Sequence, residues 1–340
     1  MQNVILGKTG LSVSRLSFGA LPIQRTPLDE SVRILHKAAE SGINYFDTAR
    51  FYTDSEAKLG AAFSARRDKL IISTKTMAKD RAGILADLAV SLAELKTDYI
   101  DLYQFHNPKT VPMPGDGTER YETFAELKQK GVIRAVGITN HALKNAQIAI
   151  ESGLYETLQF PFSLMNTPEE ENLAVACKKA DMGFIAMKAL CGGLITNIPA
   201  AFAYMRQFDN VVPIWGIQHM RELDEFLDLE AAPPGMTEDI RRQISGEKEA
   251  LGGQFCRSCG YCMPCPQGIE ILNVARMNRL LRRSPWQTYA TPEWKEKMAL
   301  AKTCINCGVC ASRCPYSLDT PRLVQENALD YEQFMAEHDI

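Results

Sequence analysis

Over roughly the first two thirds of the chain, short apolar runs alternate with longer amphipathic stretches. The apolar runs fall at residues 15–20, 44–48, 70–75, 99–106, 133–139, 157–162, 183–188 and 211–216. Most are rich in Val, Ile, Leu and Phe and nearly uncharged inside, the composition of parallel strands buried on both faces. Between them, residues 28–41, 83–96, 119–130 and 168–180 place apolar side chains at helical spacing. Thr167-Pro168 opens the last of these with an N-cap and a proline in the first turn. Eight repeats of strand then helix predict an α/β fold, a closed (β/α)8 TIM barrel over residues 1–230. An open doubly wound sheet is the alternative, but no G-x-G-x-x-G follows the first strand. Residues 3–14, with Gly7 and Gly10, predict a hairpin ahead of the first barrel strand.

The pattern stops at Ala231-Ala232-Pro233-Pro234-Gly235. Residues 231–250 read as a linker and charged helix, and residues 251–340 as a second, mainly helical domain with a helical tail from residue 320. A chain of 340 residues suits one large and one small domain. The net charge of −3 makes no electrostatic case for nucleic acid or an anionic membrane. No apolar run approaches a membrane span, and the N-terminus lacks a basic segment followed by an apolar one. These features predict a cytoplasmic protein, where thiols stay reduced and clustered cysteines serve metal rather than disulfides.

Eight of the ten cysteines form two runs: Cys256, Cys259, Cys262, Cys265-Pro266, and Cys304, Cys307, Cys310, Cys314-Pro315. The second reads C-x2-C-x2-C-x3-C-P, the bacterial ferredoxin spacing for a [4Fe-4S] cluster. In two-cluster ferredoxins the fourth cysteine of each run ligates the other cluster. Cys256, Cys259, Cys262 and Cys314 would then hold one cluster, and Cys304, Cys307, Cys310 and Cys265 the other. The first run departs by one residue, since only Met263-Pro264 precedes Cys265. All-cysteine zinc sites also use C-x2-C pairs. Three cysteines in steps of three followed by Cys-Pro, twice over, favour two [4Fe-4S] clusters in a ferredoxin-like module. Cys177 and Cys191 lie outside both runs and read as structural, with a minor functional role as the alternative for Cys191.

Barrel enzymes place function at the C-terminal ends of their strands. Asp47, Tyr52, Lys75 and His106 fall at or just past three consecutive predicted strand ends. Their chemistry is coherent. A hydride arriving at a carbonyl carbon leaves an alkoxide that needs a proton, and a tyrosine can supply it. A lysine ammonium beside the tyrosine favours the phenolate, an aspartate holds the ammonium, and a histidine can donate to the carbonyl oxygen. Taken singly, each residue is as well explained as a cap, a packed ring or a solvated strand end.

On these residues the chain resembles the aldo-keto reductase family, over residues 3 to about 228, and in particular its iron-sulfur branch. The segment Leu6-Gly7-Lys8-Thr9-Gly10-Leu11 looks like the family's N-terminal hairpin. Asp47, Tyr52, Lys75 and His106 match its catalytic tetrad in order and spacing. The resemblance implies a nicotinamide cofactor held at strand ends five to eight. Thr139-Asn140 and Gln159 match the groups that hold the carboxamide. Phe162 stands where a tyrosine usually stacks on the nicotinamide ring. Met187, Lys188, Gly192, Gly193 and Leu194 match the loop that passes the pyrophosphate, and Gly216 and Gln218 follow the eighth strand. There the chain departs from the pattern. Ile217 and Leu223 stand at positions that carry basic residues in many NADP-binding members, and Arg221 is displaced. NADP and NAD therefore both stay open as the cofactor.

The function these features imply is an oxidoreductase interconverting a carbonyl and an alcohol on a small-molecule substrate, with clusters attached. An external ferredoxin or other redox partner could exchange electrons with the clusters. The alternative is an electron-transfer or docking protein whose barrel is a catalytically idle scaffold.

Overall fold

The computed structural model describes residues 1–252, 255–283 and 286–338. Its first strands, β1 (Asn3–Ile5) and β2 (Ser12–Ser14), pair antiparallel as the expected hairpin. Eight further strands follow: β3 (Ser17–Gly19), β4 (Tyr45–Asp47), β5 (Ile71–Thr76), β6 (Ile100–His106), β7 (Ile133–Thr139), β8 (Thr157–Pro161), β9 (Gly183–Met187) and β10 (Val211–Gly216). They are parallel and close into a barrel in sequence order, with β10 pairing back onto β3. The helices α1 (Leu28–Glu40), α2 (Ser55–Phe63), α3 (Arg81–Leu95), α4 (Arg120–Gln129), α5 (Leu143–Ser152), α6 (Pro168–Lys179), α7 (Ile198–Arg206) and α8 (Met220–Ala231) fall between and after them. The N-terminus of α6 carries the expected cap: Thr167 Oγ1 accepts from the Glu170 amide, and Glu170 accepts from the Thr167 amide.

The barrel interior is packed, not hollow. Tyr45, Leu102, Ala135, Ile185, Val212 and Ile214 form one cluster, and the hairpin adds Leu6 and Val13. Gly7 is what lets the hairpin approach: a Cβ there would stand 2.3 Å from the Gly183 nitrogen. Gly7 also bridges Met182, just ahead of β9. The hairpin therefore meets the N-terminal end of the strands and leaves chemistry to the opposite end.

The chain divides into two compact units. One is Met1–Ala189 with Pro199–Thr237; the other is Glu238–Ile340 with the connection Leu190–Ile198. The second unit holds α9 (Glu238–Leu251), α10 (Ile271–Val274), α11 (Met277–Arg283), α12 (Pro292–Ala301), α13 (Val309–Ser312) and α14 (Thr320–Glu337). Helix α14 buries Val324, Ala328, Tyr331, Phe334 and Met335, and α10 to α13 pack against it. Side chains reinforce that packing. Asn327 Oδ1 accepts from the Asn278 amide at 2.7 Å, and the Tyr331 hydroxyl donates to the Tyr289 carbonyl at 2.6 Å.

Candidate active site and cysteine centre

Strand β4 ends on Asp47, β6 ends on His106, and Lys75 is the next-to-last residue of β5. The register aligns Asp47 with Ser73 and Lys75 with Gln104, so these groups share one rim of the barrel. The turn after β4 brings Tyr52 over the same rim. Lys75 Nζ lies 5.3 Å from the centre of the Tyr52 ring. The Tyr52 and His106 rings meet edge-on, with centroids 5.8 Å apart. All four residues of the expected tetrad are thus brought together.

A buried ion pair needs good geometry and further hydrogen bonds to offset desolvation. Here both are present. Lys75 Nζ donates to Asp47 Oδ2 at 2.6 Å and to the Thr48 carbonyl at 2.5 Å. Asp47 Oδ1 accepts from Ser73 Oγ at 2.6 Å, and Gln104 and Gln159 amides approach the carboxylate at 3.4 Å. Burial pulls the Lys75 ammonium below its usual range, while Asp47 and then Glu56 pull it back. His106 is pushed down to about 3 by burial, then by the Lys75 and Lys188 ammoniums. It is therefore a neutral imidazole at neutral pH.

Sequence reading missed Ser73 and Gln104. The signal was present: each stands two residues before a tetrad member on the same strand, so pleating points both to one face. Both are polar and fully buried. Gln104 Oε1 and His106 Nδ1 are buried without a hydrogen-bond partner. Unpartnered polar atoms at a strand-end rim are what a bound carbonyl or amide group would satisfy, so the residues fit a nicotinamide and its substrate.

The residues expected to hold the nicotinamide fare unevenly. Gln159 joins the tetrad network, its Oε1 accepting from Gln104 Nε2 at 2.8 Å. Thr139 Oγ1 accepts from the Asn107 amide, and Asn140 Nδ2 donates to the Pro108 carbonyl, both at 3.0 Å. Both residues thereby tie down the loop after His106. Phe162 requires a correction. Its ring is fully buried and packs on Phe184, Tyr204 and Phe208 rather than offering a face to a nicotinamide. Met187 instead belongs to the barrel's inner cluster. Lys188 follows β9 in a left-handed conformation. Gly192, Gly193 and Leu194 lie in the connection that belongs to the second unit. There Arg276 Nη1 donates to the Gly192 carbonyl at 2.9 Å. Gly216 ends β10, and the Gln218 amide donates to Glu222 Oε2 at 2.7 Å. Ile217 and Leu223 are fully buried apolar residues.

In the second unit, Cys262, Cys265, Cys304, Cys307 and Cys310 line one pocket, with apolar walls from Ile269, Ile271 and Val324. Cys262 and Cys265 of the first run thus stand with Cys304, Cys307 and Cys310 of the second around one space. Burial first pushes up the thiols of Cys262 and Cys310; Cys256, Cys259 and Cys310 add to the effect on Cys262, and Cys304 and Cys265 to that on Cys310. Soft thiolates in a pocket with apolar walls are the donor set that iron-sulfur clusters take. Cys177 is buried in α6, where burial alone pushes its thiol up to about 12, an inert structural thiol.

Comparison with known proteins agrees with both halves. Residues 255–319 match the 4Fe-4S dicluster domain, which supports iron-sulfur clusters in the second unit. The chain is 32% identical over 217 residues to aldo-keto reductase YhdN of Bacillus subtilis, covering 58% of this chain and 64% of that protein. It therefore spans just under two thirds of that relative's length. A 27% identity over 227 residues links it to the NADH-specific methylglyoxal reductase of Escherichia coli, covering 58% of this chain and 70% of that one. Among solved structures, a Bacillus halodurans aldo-keto reductase (holo form) superposes with a TM-score of 0.65 at 25% identity. That match covers 74% of this chain and 97% of the other. No helix among the described residues is long and apolar enough to cross a membrane. Residues 15–226 match the model of the aldo/keto reductase family, and with the closed barrel and its rim of Asp47, Tyr52, Lys75 and His106, the chain belongs to that family.

Proposed function

We propose that the protein interconverts a small carbonyl compound and its alcohol, with NAD or NADP as the redox cofactor. The convergence of Tyr52, Lys75, Asp47 and His106 on one rim carries this reading. Bound nicotinamide supplies or takes up a hydride at the substrate's carbonyl carbon. His106, neutral at working pH, donates a hydrogen bond to the substrate oxygen and orients it. As negative charge develops there, the Tyr52 hydroxyl gives up its proton. The Lys75 ammonium stabilises the phenolate left behind, and Asp47 keeps that ammonium charged and in place. In the reverse direction the phenolate takes the alcohol proton. Thr139, Asn140, Gln159, Lys188, Gly216 and Gln218 are the barrel groups available to the cofactor.

Cys256, Cys259, Cys262 and Cys314 would hold one [4Fe-4S] cluster, and Cys265, Cys304, Cys307 and Cys310 the second. Such clusters supply one-electron transfer, whereas a nicotinamide moves two electrons as hydride. An external ferredoxin-like donor or acceptor is therefore the natural partner of the second unit. The relatives' names suggest a small dicarbonyl such as methylglyoxal as the first substrate to try.

The test follows NADH and NADPH oxidation with methylglyoxal and a panel of aldehydes, comparing wild type with Tyr52→Phe. Turnover that falls at least 100-fold in the variant, with unchanged dinucleotide affinity, is the expected result. No turnover with either cofactor, or turnover indifferent to the substitution, would sink the reading. Iron and sulfide content and the EPR spectrum of reduced, anaerobic protein test the clusters. Stoichiometric zinc without iron would refute them.

A further inference from the structure

Tyr52 does not stand on a strand. It stands on the turn between β4 and α2, where Thr53 takes the strained left-handed φ of 34°. A general acid must be held within a fraction of an ångström of its working position, so something must fix that turn.

Its neck is closed by Thr48, whose hydroxyl donates to Ser55 Oγ at 2.8 Å; Ser55 Oγ donates onward to the Ala20 carbonyl at 2.9 Å. Its far side is held by Arg50. The Arg50 amide donates to the Lys75 carbonyl at 3.0 Å, which ties the turn to the strand of the catalytic lysine. The guanidinium reaches the other way. Nη2 donates to the Thr53 carbonyl at 3.4 Å, next to Tyr52. Nη1 pairs with Glu56 and, at 2.8 Å, with Glu94 Oε2, while Nη2 meets Glu94 Oε1 at 3.2 Å. The Glu94 contact is a two-pronged carboxylate–guanidinium pair, the geometry that best fixes direction.

Both anchors are themselves fixed. Glu56 is 1% exposed, and its other oxygen accepts from Thr74 Oγ1 at 2.5 Å, on the residue before Lys75. Glu94 sits on α3, and α2 is pressed against it so closely that a Cβ on Gly60 would come within 2.0 Å of the Glu94 carbonyl. None of these three charged residues is given a step in the chemistry above; Glu56 bears on it only through its pull on the Lys75 ammonium.

We propose that Arg50 is a positioning residue for Tyr52. With Glu56 and Glu94 it locks the turn so that the tyrosine hydroxyl is presented above Lys75 at the rim. This rests on the reading of Tyr52 as the proton donor.

The experiment compares Arg50→Ala, Arg50→Lys and Glu94→Gln with wild type and Tyr52→Phe in the full cluster-loaded protein. It measures kcat and KM for carbonyl reduction, NADH affinity by fluorescence, melting temperature, and rescue by added guanidinium at low millimolar concentration. A misplaced acid costs rate rather than binding. In Arg50→Ala, kcat should fall about 10- to 100-fold with KM and NADH affinity within about threefold. Guanidinium should restore part of that rate and leave Tyr52→Phe unrescued. Arg50→Lys should lie between wild type and Arg50→Ala, and Glu94→Gln should lose less than either. An unaltered kcat in Arg50→Ala overturns the proposal. So does a loss that tracks weaker NADH binding or a lower melting temperature, that guanidinium does not restore, and that Arg50→Lys shares in full. Wild-type turnover that does not depend on Tyr52 strikes the functional reading instead, and this inference falls with it.

Discussion

In the barrel, Asp47, Lys75 and His106 stand at strand ends, and the first two are already engaged by protein. Lys75, Asp47, Ser73, Gln104 and Gln159 form a buried network that needs no ligand to hold it. In the second unit the cysteines stand mostly on irregular backbone, and what they line is a pocket. The barrel rim is one edge of a hydrophobic core that packs from strand to strand. The cysteine loops have α14 behind them but little ladder of their own. One site is pre-formed by packing; the other is completed by the metal its residue types call for.

Iron removal would break that comparison most severely. Anaerobic chelation should abolish hydrogen-exchange protection across residues 255–319, because the thiols then lose their common partner. The barrel strands β3 to β10 should keep theirs. Protection that survives iron loss in the cysteine region would show a scaffold as pre-formed as the barrel, and the contrast would fail.

The same contrast decides how much the sequence revealed. Buried parallel strands announce themselves as short, mostly apolar runs, so all eight were legible, two of them (133–139 and 211–216) to the residue. The first was expected at 15–20 but spans Ser17–Gly19. Arg15 instead turns its guanidinium to the carbonyls of Arg206 and Phe208. Strand ends made Asp47, Lys75 and His106 legible because pleating and barrel closure leave little freedom there, whereas Tyr52 stands on a turn. What pattern could not supply was which way a ring faces once helices pack. Phe162 looked available and is spent among Phe184, Tyr204 and Phe208. The cysteine spacing was legible for a different reason, since ligand geometry dictates it. The helices around it were less so: the helical stretch 271–283 breaks between α10 and α11, with Arg276 at the break bonded to Asn273 and Gly192. That the Leu190–Ile198 connection groups with the cysteine unit follows from long-range contacts no local pattern carries.

Lys75→Met sharpens the barrel half. Lys75 is 1% exposed and Asp47 2%, so removing the ammonium leaves a buried carboxylate without its cation. Breaking such a pair costs about 3 to 5 kcal/mol. Adding Asp47→Asn to the same chain should recover most of that stability, because no unpaired charge remains. It should recover none of the turnover, because the phenolate still lacks its cation. Urea denaturation and steady-state rates on the two single variants and the double give the cycle. Stability and rate recovering together would mean that the pair serves the fold alone.

The smallest effect concerns His106, and its sign follows from where the proton goes. In the folded protein the ring is held to about 3, against 6.5 for an ordinary histidine. Between those values the unfolded chain takes a proton that the folded site refuses. From this group alone, stability should therefore be flat above about pH 6.5 and fall as pH drops below it, by up to about 1.4 kcal/mol per pH unit. His106→Asn should remove that slope while leaving the contribution of the carboxylates in place. Lys188→Met should shrink it, since one of the two neighbouring ammoniums that disfavour the imidazolium is gone. Denaturation midpoints of the three proteins from pH 4 to 7 decide it. Parallel curves would mean that His106 is protonated as readily in the barrel as in water. The neutral imidazole that orients the substrate oxygen would then be lost over the same pH range in which a free histidine titrates.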